Sequence, residues 1–352
     1  MDVGIEVTRR CNFRCGHCYV DAGLPREREL TTREWLPILG QLARAGVETI
    51  GWSGGEPLLV KDLDVLTRAA TARGLATSVA TNGFLATPER LRRLHASGLH
   101  VLQVSLDGPD PKRAGRYRQG PTASFDRARA AIRAGVEAGL HTFVCALLTP
   151  ETAPELDEMI ALATSLGATG LRYTVWTPVG RARGQAYRER AWRTKGVRRF
   201  LEVTARGRSS SGLVLLVDCP TGPLPAEPDV TCSAGRDVAY ITAQGDVYPC
   251  TALIFPEYRV GNVRQTPVAK LLRSPAMERV HRQRARLKLG GTCVDCALGD
   301  TCRGGCPGRT VAAHGRLAGE PHRGAMPVCL VRLHARPLTR RRRAGRRGAR
   351  IP

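Results

Sequence analysis

Short apolar runs alternate with amphipathic stretches from Asp2 to about Thr177, the pattern of successive βα units around a parallel sheet. The apolar runs predict strands at Gly4 to Val7, Thr49 to Trp52, Ala76 to Ala80, Val101 to Ser105, Thr142 to Leu147 and Gly170 to Val175. Helical periodicity fills the gaps over Thr32 to Ala45, Leu63 to Arg73, Pro88 to Ala96, Phe125 to Ala138 and Ala153 to Leu166. Thr31 and Thr87 stand where N-caps belong, and Gly46, Gly74, Gly139 and Gly167 follow helix ends. The expected fold is α/β, a partial (βα)6 TIM-like barrel of parallel strands.

Beyond Gly207 the texture changes. "GRSSSG" and "CPTGPLPAEPD" are rich in Gly, Ser and Pro, and "DVAYITAQGDVYPC" reads as a hairpin turning near Gln244 and Gly245. After Cys293 the cysteines are dense and the helical stretches short. The expected division is a core domain over residues 1–210, a cysteine-rich domain over 211–332 and a basic, disordered tail over 333–352.

Composition narrows the class. A chain of 352 residues buries a full core and needs no disulfide staples. It has no apolar run of about 18 residues, and "MDVGIEV" lacks the charged-then-apolar order of a secretory signal, so a soluble, cytoplasmic protein without membrane attachment is expected. Twelve cysteines in such a chain point to metal or redox chemistry, because cytosolic thiols stay reduced. The net charge of +23 raises nucleic acid as a partner, yet only five of the 54 basic residues are Lys, which suits a GC-rich coding bias better than a phosphate track. The run "RPLTRRRRAGRRGARIP" is read as a solvated tail, with binding to nucleic acid or an acidic partner as the alternative.

The stretch "TRRCNFRCGHCYVDAG" sets Cys11, Cys15 and Cys18 in a Cys-x3-Cys-x2-Cys spacing after the first strand. A structural zinc closes its tetrahedron with four protein ligands; three clustered thiolates leave a coordination position open. "SGGEP" (Ser53 to Pro57), "TNG" (Thr81 to Gly83) and "SLDG" (Ser105 to Gly108) follow strands two, three and four, so all four stretches converge on the C-terminal rim, where barrel chemistry gathers. Three thiolates suit three irons of a [4Fe-4S] cubane, whose fourth iron a small molecule can chelate through amino and carboxylate groups. A Gly-Gly turn admits close approach, Glu56 can accept from an ammonium, and Ser105 with a nearby Arg can hold a carboxylate.

With these motifs, over roughly residues 2 to 332, the chain resembles the radical S-adenosylmethionine superfamily. The resemblance implies that S-adenosylmethionine is the missing ligand. An electron from a reductant such as flavodoxin or ferredoxin would reach the cluster, and cleavage of the carbon–sulfur bond would yield a 5'-deoxyadenosyl radical that removes hydrogen from substrate. It assigns Cys11, Cys15 and Cys18 to the [4Fe-4S] cluster and Gly55 and Glu56 to the methionine amino group. Ser105 and Arg118 go to the carboxylate, Asn82 to the ribose, and the backbone of His17 to the adenine. Arg116 competes with Arg118, and turn capping is the plain alternative for Asn82 and Ser105.

The remaining thiols resemble the seven-cysteine SPASM extension of peptide-modifying radical enzymes: Cys232, Gly245-x4-Cys250, Cys293-x2-Cys296-x5-Cys302-x3-Cys306 and Cys329. The resemblance implies two auxiliary iron–sulfur clusters, one on Cys232, Cys250 and Cys306, the other on Cys293, Cys296, Cys302 and Cys329. Cys219 is the candidate for the vacancy in the first, against an open iron; [4Fe-4S] and [2Fe-2S] both fit, and a zinc ribbon is the competing use of these thiols. Cys145, within an apolar strand, reads as a buried small residue.

Members of this architecture modify ribosomally made peptides, mature sulfatases, or act on tetrapyrroles and sugars. "TPVGRARG" (Thr177 to Gly184) resembles a Pro-x-Gly-Arg element of peptide-cofactor and haem-maturing relatives, or forms a tight turn with an exposed Arg. Thr251 stands where sulfatase-maturing relatives carry an Asp suited to accept a proton, which weakens that reading. The favoured expectation is maturation of a peptide or peptide-derived cofactor. If the substrate is a peptide, a separate protein is expected to present it, since the first strand starts almost at Met1. A radical enzyme acting on a small molecule is the alternative, and a non-catalytic iron–sulfur or zinc protein that binds nucleic acid is the remote one.

Overall fold

The computed structural model describes residues 1–24, 28–185, 189–192, 194–204, 206–218, 232–290, 293–294 and 302–319. Cys219, Cys296, Cys329 and the Arg-rich tail lie outside the described residues.

The six expected strands are β1 (Asp2–Thr8), β2 (Thr49–Gly54), β3 (Ala76–Thr81), β4 (Val101–Ser105), β5 (His141–Leu148) and β6 (Gly170–Val175), all parallel and hydrogen-bonded in sequence order. The connecting helices are α1 (Thr32–Arg44), α2 (Leu63–Thr71), α3 (Pro88–Ala96), a short α4 (Pro111–Ala114), α5 (Ser124–Glu137) and α6 (Leu156–Ser165). Local chemistry sets their ends. Thr31 and Glu34 form a reciprocal capping box on α1, the Thr87 hydroxyl accepts from the Arg90 amide, and Gly46 and Gly139 follow helix ends at φ +86° and +83°. Trp35, Leu39, Leu42, Ile50 and Trp52 fill the layer between helices and sheet, each at most 1 % exposed.

The sheet continues further than the apolar pattern alone predicts. After α7 (Lys195–Thr204), β7 (Val214–Asp218) pairs in parallel with β6, and β8 (Val238–Ile241) pairs in parallel with β1 at the other side. The expected hairpin is present: β9 (Asp246–Tyr248) runs antiparallel to β8 around Gly245 at φ +90°, and β10 (Gly261–Asn262) follows β9. The order is therefore β10-β9-β8-β1-β2-β3-β4-β5-β6-β7, one sheet that runs past residue 210 in both directions. Helices α8 (Val268–Leu272), α9 (Arg279–Ala285) and α10 (Pro307–His314) complete the described C-terminal part.

The β1–β8 contact buries an ionisable group. Gly4 of β1 faces the Tyr240 ring, where a Cβ would lie 2.9 Å away, and two residues on the buried Glu6 accepts from the Tyr240 hydroxyl at 3.3 Å. Burial pushes the Glu6 carboxyl up to about 7, against the opposing pull of Arg9, the Ala243 amide and Tyr240. Between the ordinary carboxylate range and pH 7 the folded state therefore keeps a proton that the unfolded chain releases, so stability falls as pH rises through that window. Glu6→Gln should gain on the parent by about 2–3 kcal/mol between pH 5 and pH 8, as read by urea titration at both values. A difference independent of pH would contradict this account.

Candidate active site

The C-terminal ends of the parallel strands open into one cavity of about 750 Å³. Cys11, Cys15 and Cys18 line it, and so do Cys232, Cys250, Cys302 and Cys306. Ser53, Gly54, Gly55, Asn82, Ser105, Arg118 and His17 are also in its wall, so most of the expected site residues meet in one place.

The three-thiol loop after β1 is tied down on several sides. The Gly55 and Glu56 amides donate to the Thr8 and Arg10 carbonyls at 2.8 Å each, and the Arg14 and Gly16 amides donate to Gln119 and Tyr117 carbonyls at 2.8 and 3.0 Å. Gly54 sits at φ +130°, and a Cβ on Gly55 would overlap the Arg10 carbonyl, so the turn must be glycine for the loop to lie this close. Amides point at two of the sulfurs: Phe13 N–H at Cys11 Sγ (3.4 Å) and Ala22 N–H at Cys18 Sγ (3.2 Å). In the second set the Ala252 amide does the same for Cys250 Sγ (3.3 Å).

Burial raises the pKa of four of these thiols: Cys11 is pushed up to about 11, and Cys15, Cys250 and Cys306 are raised as well. Neighbouring thiols add to the effect, Cys232 and Cys306 on Cys250 among them, so these three sit close together. Without metal, burial favours the protonated form of Cys11, Cys15, Cys250 and Cys306; a cationic iron site, with the amide donors and Arg118, would stabilise the thiolate charge. Among the described residues no three His, Cys, Asp or Glu side chains converge on a single ion position. Three thiols lining one cavity suit a multi-iron cluster, one sulfur to each iron.

Arg118 and Arg116 part company. Arg118 faces the cavity side: its Nε lies 2.6 Å from Asp107 Oδ2 and its Nη1 4.0 Å from Cys15 Sγ, whereas Arg116 pairs with Glu155 at 3.0 Å. Asp107 itself is fully buried and also accepts from the Leu147 amide at 2.8 Å. Sequence reasoning passed over Asp107, although "SLDG" displayed it. His17 packs on Tyr117 and Trp176, with ring centroids 6.4 Å away in each case, and burial lowers its pKa to about 4, which keeps the ring neutral.

Glu56 differs from expectation. Its carboxylate accepts from the Leu58 amide (3.0 Å), the Thr81 hydroxyl (2.7 Å) and the Asn82 amide (2.8 Å), and the residue is completely buried outside the cavity wall. The residue also caps the 3-10 turn Pro57–Leu59. Its role in the geometry is to lock the β2 turn to the end of β3. Asn82, thus positioned, donates to Asn12 Oδ1 in the thiol loop at 2.8 Å. The floor of the cavity carries residues the sequence reading did not select: Arg172 pairs with Asp218 (2.8 Å) and reaches Gln103 Oε1 (3.0 Å), beside Cys145. Gln103 and Arg172 break the apolar strands "VLQVS" and "GLRYTV" at alternating positions, a signal that these faces look into the barrel. Cys145 shares that face and lines the cavity instead of the outer core.

Comparison with known proteins gives this geometry its family. Residues 5–163 match the model of the radical SAM superfamily and residues 232–297 that of an iron–sulfur cluster-binding domain called SPASM. Mycofactocin maturase MftC of Mycobacterium tuberculosis is 31 % identical over 96 % of this chain and 84 % of its own length. This chain belongs to the radical SAM superfamily. Also similar are the AdoMet-dependent heme synthase of Nitratidesulfovibrio vulgaris (28 % identical, 90 % of each chain covered) and the PqqA peptide cyclase of Xanthomonas oryzae (30 %, covering 90 % of this chain and 86 % of that one). Among solved structures, SuiB of Streptococcus suis bound to precursor peptide SuiA superposes with a TM-score of 0.70 at 19 % identity, covering 92 % of this chain and 74 % of that one. As a radical SAM protein with a SPASM extension, the chain is an enzyme that works with S-adenosylmethionine and iron–sulfur clusters. No helix among its described residues is long and apolar enough to cross a membrane.

Proposed function

We propose that the chain modifies a peptide or peptide-derived cofactor precursor inside the cavity between its two cysteine sets. The observation that carries this reading is that one cavity is lined both by Cys11, Cys15 and Cys18 and by Cys232, Cys250 and Cys306. Similarity to a maturase and a peptide cyclase supports a peptide substrate. When bound, the reduced cluster and S-adenosylmethionine supply a carbon radical that abstracts hydrogen from the substrate.

The protein's part is to hold and orient. Cys11, Cys15 and Cys18 ligate three irons, the Gly55 backbone receives the ammonium, and Ser105 with the Nη1 end of Arg118 receives the carboxylate, while Asp107 fixes the guanidinium plane. Asn82 takes the ribose side, and Glu56 positions it through its backbone amide. Cys232, Cys250 and Cys306 hold one auxiliary cluster, with Cys219 as fourth ligand; Cys293 and Cys302 belong to the other, with Cys296 and Cys329. The auxiliary sites accept the substrate's electron or bind the substrate. Residues 1–210 supply the radical chemistry and residues 211–332 the auxiliary sites, on one continuous sheet. The setting is the reducing cytoplasm, with flavodoxin or ferredoxin as electron donor and a separate peptide-presenting protein.

The test is anaerobic turnover with S-adenosylmethionine, a reductant and the product of a short open reading frame beside the gene. Formation of 5'-deoxyadenosine together with a change of a few daltons in the peptide is expected. Similarity to a heme synthase favours a second reading, a tetrapyrrole substrate; an unchanged peptide alongside a converted tetrapyrrole would establish it instead.

A further inference from the structure

We propose that Arg181, in the loop after β6, is a positioning residue that clamps the three-thiol loop and supplies a fixed positive charge beside it. Its backbone amide donates to the Cys18 carbonyl at 2.9 Å, and its Nη1 to the Cys15 carbonyl at 2.8 Å. Nε donates to Asp21 Oδ1 at 2.9 Å, and Nη2 donates to the Ala22 carbonyl. One guanidinium thus spans the loop from its second thiol to four residues past its third. A flexible ammonium cannot reproduce this, because only the planar fork presents donors in three fixed directions.

The segment carrying Arg181 is itself held. Gly180 lies at φ +58°, and a Cβ there would overlap both the Cys18 and Tyr19 carbonyls, so the two backbones are in direct contact. From the other side the fully buried Arg309 of α10 donates to the Trp176 carbonyl and, at 3.3 Å, to the Thr177 hydroxyl. Helix α10 begins directly after Cys306. The residues from Trp176 to Arg181 therefore join the helix at the second thiol set to the backbone of the first. The Arg181 guanidinium on the Cys15 carbonyl and its backbone amide on the Cys18 carbonyl fix the backbone from which the two thiols project, and the charge favours the more negative, reduced form of a bound cluster.

This inference rests on the reading that Cys11, Cys15 and Cys18 hold the cluster, so the experiment has one arm that needs no cluster. In the metal-free full-length chain, Arg181→Gln should speed amide hydrogen exchange over residues 15–22 while leaving the β3–β5 amides at parental rates. In reconstituted protein the same variant should weaken iron retention at the first site by about 10- to 100-fold, the usual penalty for losing a group that orients a metal ligand. It should also lower the midpoint potential of that cluster. Arg181→Lys should restore the potential, which follows the charge, but only part of the exchange protection, which follows the fork. Gly180→Ala leaves the guanidinium intact and should speed exchange over the same residues, so the reading survives if Arg181→Gln does not fold. Parental exchange in both Arg181→Gln and Gly180→Ala would overturn the proposal, as would a potential unchanged in Arg181→Gln. A parent protein that retains no iron at the first loop would refute the cluster assignment, whereas the exchange arm would still decide whether Arg181 clamps the loop.

Discussion

Cys15→Ala should abolish formation of 5'-deoxyadenosine while leaving iron at the second cysteine set. The Arg118 Nη1 lies 4.0 Å from the Cys15 sulfur, and desolvation raises the thiol's pKa with Arg118 opposing. Alanine removes one of three iron ligands at a site where the open coordination position must go to the cofactor, so no spare protein ligand is available to substitute. The loss should exceed the roughly 100-fold that follows from removing an orienting group alone. Cys250→Ala, in the second set, should alter the auxiliary iron content and still cleave S-adenosylmethionine without productive coupling. High-performance liquid chromatography of 5'-deoxyadenosine together with iron analysis separates the two. Equal losses of S-adenosylmethionine cleavage in both variants would contradict the division of labour between the thiol sets.

Arg118→Ala has the second largest expected effect, and it acts on stability as well as chemistry. Asp107 is fully shielded from solvent, so removing the Arg118 guanidinium leaves a buried carboxylate with only the Leu147 amide and, at 3.9 Å, the neutral His17 ring beside it. Breaking such a pair costs about 3–5 kcal/mol, because the remaining charge stays desolvated. S-Adenosylmethionine binding should fall with it, since the carboxylate loses its cationic anchor. Changing Asp107→Asn in the Arg118→Ala background should recover most of the stability and none of the binding. Thermal unfolding paired with equilibrium dialysis of S-adenosylmethionine reads both quantities. Joint recovery would mean that Arg118 serves the fold only.

The βα succession was legible because each strand and helix carries its own period, cap and stop signal, and the three-thiol loop and Gly-Gly turn fall at strand ends as the pattern requires. Strand β7 was hidden because "LVLLVD" is short and sits in a stretch of Gly and Ser that reads as linker. The parallel pairing of β8 with β1 joins residues more than 200 apart and depends on Gly4 making room for Tyr240, a contact with no local sequence signature. The same limit applies at the site. Residue types told of an arginine near the carboxylate, but choosing Arg118 over Arg116 required knowing that Asp107 faces one and Glu155 the other. Glu56 read as a ligand contact from its Gly-Gly-Glu turn; its three internal donors come from its own turn and from the end of β3, and only the folded arrangement brings them together. Arg181 was visible in "TPVGRARG", yet a turn with a solvated arginine explained the same letters equally well.

The account stands on a cluster at Cys11, Cys15 and Cys18 whose open iron takes S-adenosylmethionine. Electron paramagnetic resonance of the anaerobically reconstituted, reduced protein, recorded before and after adding S-adenosylmethionine, tests this most directly. A reduced-cluster signal that shifts on addition, with the shift lost in Cys15→Ala and kept in Cys250→Ala, is the predicted result. A signal indifferent to S-adenosylmethionine in the fully reconstituted parent protein would contradict it.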